Sequence, residues 1–102
     1  MKRRVRYRPP AEADLQDVAA WYDVERSGLG GEFVAEIHHL TARVAENALQ
    51  FPIVRGTIRR ALMRRFPYAI FFVVENGVAS ILAVAHLHRA PDLLGDRLRE
   101  EI

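Results

Sequence analysis

Asn76-Gly77 separates two long apolar runs, Phe66 to Glu75 and Val78 to Leu87. A two-residue link between β-prone runs needs φ > 0 at both central positions, and Asn-Gly meets that demand with little strain. The stretch is therefore predicted to be a hairpin with a type I′ turn. Such a turn sets the register: Glu75 opposite Val78, Phe72 opposite Ile81, Tyr68 opposite Ala85. Alternation then places Tyr68, Ile70, Phe72 and Val74 on one face with Ala79, Ile81, Ala83 and Ala85. The other face carries Phe71, Val73, Leu82, Val84 and His86, with Glu75 and Ser80 near the turn. Both faces are too apolar to meet water, so the hairpin belongs at the centre of a sheet covered on both sides. Small alanines opposite large aromatics suit a close helix layer, which assigns the first face to the core. The second is left for the chain's own tail or for a partner.

The rest of the chain supplies the cover. Val5 and Tyr7 alternate with Arg4, Arg6 and Arg8, a half-buried strand ended by Pro9-Pro10. A helix from about Pro10 to Ser27 follows, with Glu12 and Asp14 near its positive N-terminal end. Its stripe is Ala11, Leu15, Val18, Ala19 and Tyr22, and Trp21 is expected at the core or its margin. The glycines of Ser27 to Gly31 break it. A second helix to about Asn47 presents Phe33, Ile37, Leu40, Val44 and Ala48, with His38 and His39 as surface or packing residues. So short a link makes the two helices an antiparallel hairpin. Ile53 to Thr57 reads as an exposed crossing, and Ile58 to Met63 as a strand with two arginines on each side when Arg64 and Arg65 are counted. Beyond the hairpin, Asp92 is expected to N-cap a short helix bearing Leu93, Leu94 and Leu98, placed to lie over an open sheet face. The fold class is α+β: a strand, a two-helix hairpin packed on an antiparallel sheet, and a short C-terminal helix, in one domain over 1–102.

At 102 residues with no cysteine, disulfides and thiolate metal sites are excluded, and a reducing cytoplasm is expected. No run approaches a membrane span, no secretory leader is read at the N-terminus, and neither a metal site nor a cofactor is expected. The net charge is +2, but it is unevenly distributed. Residues 9–50 hold eight carboxylates against Arg26 and Arg43, whereas Arg55, Arg59, Arg60, Arg64 and Arg65 form a basic block. Lys2 is the one lysine among fifteen basic residues, so the charge is carried by the side chain suited to forked carboxylate or phosphate contacts.

Three stretches, in order and at the right separation, resemble the RelE/ParE family of toxins from type II toxin–antitoxin pairs. They are Ala13 to Tyr22, Ile58 to Phe72 and Leu82 to Pro91, the last followed by Arg97 where the family often ends its motif. Ala90 stands where an acidic residue is common, and Leu94 where an aromatic often sits. The resemblance covers nearly the whole chain. It implies a cognate antitoxin from a neighbouring gene, a toxin–antitoxin hetero-oligomer, and one of two modes of action. A RelE-like toxin cleaves messenger RNA on the ribosome. In that case His86, His88, Arg89 and Arg65 would be catalytic, supplying the proton transfers and charge stabilisation that metal-free cleavage needs. A ParE-like toxin poisons DNA gyrase by protein contact and is generally no nuclease. No tyrosine follows Tyr68 and no carboxylate accompanies the arginines leading to Phe66, so the acid–base set is thin and the ParE-like branch is favoured. Residues expected to meet antitoxin or target are Arg59, Arg60, Arg64, Arg65, Phe71, Val73, Leu82, Val84, His86 and Arg89. A third reading, a small basic nucleic-acid-binding module, has the charge but not the exposed aromatic ladder of such sheets.

Overall fold

In a computed structural model, which describes residues 2–101 and side chains from Lys2 to Arg97, the elements follow in the expected order. They are β1 (Arg4–Tyr7), α1 (Pro9–Glu25), α2 (Leu29–Glu46), a 3-10 turn (Ala48–Gln50), β2 (Ile53–Arg55), β3 (Ile58–Leu62), β4 (Tyr68–Glu75), β5 (Val78–His86) and α3 (Ala90–Glu101). One five-stranded sheet has the order β1-β5-β4-β3-β2. Three of its neighbour pairs are antiparallel, and β1 runs parallel to β5, so the sheet is mixed. The hairpin turn forms as the sequence requires, with φ of 53° at Asn76 and 77° at Gly77.

The hairpin register holds only as far as Phe72 opposite Ile81. A bulge then intervenes: Phe71 pairs with Ala83, Ile70 with Val84, and Tyr68 with His86 rather than Ala85. Leu82 is the extra residue, and with Ala83 it shares the face opposite α1 and α2. From here on the faces are exchanged. Val84 joins the helix-side core with Ile70, Phe72, Ala79 and Ile81, while Ala83 and Ala85 join the other side. Leu82-Ala83-Val84-Ala85 is apolar throughout, so nothing in it marks the phase of the alternation.

The second face is closed by the chain itself. Ala90 and Leu94 of α3 pack with Ile58, Ala69, Phe71, Val73 and Leu82. Phe71, Val73, Leu82 and Val84 were expected on a face open to a partner; they are 2–6% exposed. The first three are covered by α3, and Val84 lies in the helix-side core. α3 begins at Ala90, which puts Asp92 inside its first turn instead of at the cap. Leu98, expected on this helix, lies outside the described side chains.

The helix side is the larger core. Tyr22 of α1, Phe33 of α2 and Phe66 and Tyr68 of the hairpin meet edge-on or tilted, with ring centroids 4.9–6.1 Å apart. Tyr22 takes the inward position, which leaves Trp21 57% exposed and edge-on to it, not in the core as expected. α1 and α2 approach so closely that a Cβ at Gly30 would collide with the Ala19 carbonyl oxygen. Asp23 uses the same approach: its carboxylate accepts the Gly30 N–H at 2.8 Å, capping the start of α2. The exposed crossing expected over Ile53 to Thr57 includes a short strand, β2. All three of its residues are exposed, so it carries no burial rhythm for a sequence reading to detect.

Candidate functional site

The basic block lies on β3 and the link to β4, and the sheet sends its arginines in different directions. Arg59 turns to the helix side, where Nη1 donates to the Phe51 carbonyl at 2.7 Å and the Leu49 carbonyl at 3.4 Å. It ties down backbone acceptors at the 3-10 turn. Arg65 Nη2 donates to Glu32 at 2.8 Å, its guanidinium lies over the Phe66 ring, and Glu36 accepts the backbone N–H groups of Arg64 and Arg65. The Arg65 hydrogen bond, reinforced by Arg26, holds the Glu32 carboxyl below its usual pKa. Two carboxylates of α2 thus fix the loop that launches β4.

Arg60 points the other way. It stands opposite Phe71 on the α3 side, and its Nε is buried without a hydrogen-bond partner among the described residues. It lines a cavity of about 440 Å³ together with Val54, Arg55, Leu62, Phe71, Leu87, Ala90, Pro91 and Leu94. Arg55 closes one wall, with Nη1 3.5 Å from the Pro91 carbonyl and its guanidinium beside Gly95. A second groove, about 510 Å³, runs between α2 and the β3–β4 link and is lined by Glu32, Glu36, His39, Arg43, Arg64 and Arg65 around Ala35 and Leu40. Leu62, 48% exposed, borders both.

The histidines gather at the end of β5. His86 stacks on His88 at 5.3 Å and meets Tyr68 edge-on at 5.2 Å. Its Nδ1 accepts the His88 backbone N–H at 3.2 Å, which leaves Nε2 to carry the proton of the neutral ring. Because of the bulge, His86 falls on the helix side beside Tyr68, not on the opposite face as expected. Arg89 is exposed just before α3. The structure thus brings His86 together with His88, and sets Arg64 and Arg65 side by side along the second groove. Among the described residues no group of three or more His, Asp or Glu is placed to hold a metal ion. No helix is long and apolar enough to cross a membrane.

Sequence reading missed two features. Arg55 was not singled out because its neighbourhood exists only once β2 and α3 are in place. The other is a clamp between Asp14 and Arg97. Arg97 donates through both Nη atoms to the Asp14 carboxylate at 2.8 and 3.0 Å and to the Leu82 carbonyl at 2.6 Å. Asp14 also accepts the Val84 N–H at 3.0 Å. β1 pairs with β5 only as far as Ile81, so these are the backbone groups left open where β1 ends and the bulge begins. The signal was Arg97 at the end of the third motif; no spacing rule pairs it with a residue 83 positions away.

Comparison with known proteins agrees with this architecture. The chain matches the family described as "ParE toxin of type II toxin-antitoxin system, parDE" over residues 5–91. Among solved structures it is similar to a chain of the chromosomal ParDE toxin–antitoxin system of P. aeruginosa. That match has a TM-score of 0.75 and 20% identity, and covers 83% of this chain and 96% of that one. It is also similar to a chain of the toxin–antitoxin complex RelBE2 from Mycobacterium tuberculosis, with a TM-score of 0.59 and 17% identity over 84% of this chain and 99% of that one. At these identities the structural likenesses speak for the fold alone, and no curated protein matches. With the family match spanning most of the sequence, the chain belongs to the ParE toxin family of type II toxin–antitoxin systems.

Proposed function

We propose that this toxin is neutralised by a cognate antitoxin in a hetero-oligomer and, when released, acts on DNA gyrase by protein contact. The observation that best supports this reading is the chemistry of the cavity beside Arg60. Among the described residues it offers two arginines with apolar side chains around them and no carboxylate, histidine or tyrosine. Cleaving RNA without a metal needs a base for the 2′-OH and an acid for the leaving 5′-oxygen, as well as positive charge for the phosphate. Of the arginines expected to meet a partner, Arg59 is bonded to main-chain carbonyls and Arg65 to Glu32. The antitoxin half of the reading draws support from the family, and from the two similar structures, which belong to toxin–antitoxin systems.

The test uses purified protein in two assays. Inhibition of gyrase supercoiling, with messenger RNA intact in a translating extract, is the expected result. Cleaved messenger with unaffected gyrase would replace this reading with the ribosome-dependent nuclease. The double variant His86→Ala, Arg89→Ala discriminates further: it should leave supercoiling inhibition in place, whereas a nuclease using these groups would lose its cleavage.

A further inference from the structure

The cavity between β3, the turn at Leu87 and the start of α3 is built differently from the rest of the surface. Arg55 and Arg60 both face it, and among the described residues no carboxylate lines it to balance them. Arg65 of the same basic block, by contrast, is already paired with Glu32. Arg60 Nε is buried and has no partner among the described residues, so one arm of its fork lacks an acceptor there. Around this charge the walls are greasy, and Leu62 and Leu87 at the rim are 48% and 39% exposed.

We propose that this cavity is the docking pocket for one antitoxin segment, in which a carboxylate side chain lies next to a large apolar one. The inference rests on the antitoxin reading above and specifies the partner's chemistry. The carboxylate is held by the Arg60 fork with Arg55 beside it, and drawing the guanidinium toward the cavity gives Nε the acceptor it lacks. The apolar neighbour packs against Leu62, Leu87 and Val54. Charge complementarity selects an acid, and the greasy walls select a peptide over a nucleic acid. Phe71, the one aromatic ring among the described lining residues, is 2% exposed and offers no face on which a base stacks.

The probes are the product of the open reading frame adjacent to this gene, co-expressed and purified, and peptides tiled along it. Arg60→Met keeps side-chain length and removes the fork; Arg60→Gln serves if the methionine variant does not fold, as judged by its thermal unfolding. The expected result is a loss of affinity of about tenfold or more for either variant, and a further loss with Arg55→Met. One tiled peptide carrying adjacent acidic and apolar residues should compete. Changing its acid to the amide should weaken binding to the wild-type chain, weaken it less in Arg60→Met, and leave binding to the Arg55→Met, Arg60→Met double variant unchanged. Full affinity in the Arg60 variants, with the wild type still binding the partner, overturns the pocket and leaves the antitoxin reading standing. If the variants instead lose binding to a single-stranded RNA 12-mer while partner affinity holds, the pocket belongs to nucleic acid and the proposal falls. A wild-type chain that does not bind the partner overturns both readings.

Discussion

At the scale of single residues, Asp14 and Arg97 are the pair on which most depends. Their side chains are 18% and 14% exposed, and together they bond to each other and to two main-chain groups of β5. A surface ion pair contributes little, because water already solvates both charges. This pair is largely withdrawn from water, so removing one partner strands the other together with an open backbone group. Asp14→Ala or Arg97→Met should each destabilise the protein by about 3 kcal/mol, read from urea unfolding. The double variant should cost little more than either single one, because both remove the same interaction. Losses that simply add would show that the two residues act separately. Arg97→Lys should not rescue, since an ammonium cannot make the forked contact to the carboxylate.

At the scale of elements, α3 does for the second sheet face what α1 and α2 do for the first. Phe71, Val73 and Leu82 are nearly solvent-free beneath it, and burying side chains of this size is worth about 1.5–3 kcal/mol each. A chain ending at Arg89 should therefore have a clearly lower urea midpoint, bind a hydrophobic dye and self-associate, as read by fluorescence and light scattering. A truncated chain that stays monomeric and dye-free would mean that α3 contributes little to the cover. The elements the sequence revealed were those with a strong local signal. Asn76-Gly77 announced the hairpin, the stripe from Phe33 to Val44 announced α2, and alternation of arginine with Val5 and Tyr7 announced β1. The bulge at Leu82 stayed hidden because either phase of an all-apolar run satisfies alternation, and it carries Val84 and His86 to the helix side, opposite to the face expected. β2 stayed hidden for the opposite reason, its residues being exposed on every side. Of the candidate site, the arginines were legible as a block. The alternation of β3 already divided them between two faces; what each face offered, carbonyls to Arg59 and a cavity to Arg60, depended on tertiary neighbours.

At the scale of the whole molecule, the sheet has two outer edges that differ in how well they resist another strand. The β1 edge presents Arg4 and Arg6, both exposed, and charges of one sign along an edge discourage pairing. The β2 edge presents Ile53 and Val54, 54% and 39% exposed, and the neighbouring Leu49 and Leu62 extend this apolar margin. A net charge of +2 supplies little long-range repulsion to keep two copies apart. The molecule taken alone should thus be weakly self-associating through β2, with apparent mass rising with concentration in sedimentation. Ile53→Lys or Val54→Lys should restore a monomer and leave the urea midpoint nearly unchanged, because a substitution at such exposed positions shifts stability by about 0.5 kcal/mol or less. A lysine at β1, as in Arg4→Lys, should change nothing, since that edge is already guarded. If association persists in the β2 variants, another surface carries it. If the wild-type chain is monomeric at every concentration, three exposed residues are too short an edge to recruit a partner strand, and the apolar margin works only within a larger interface.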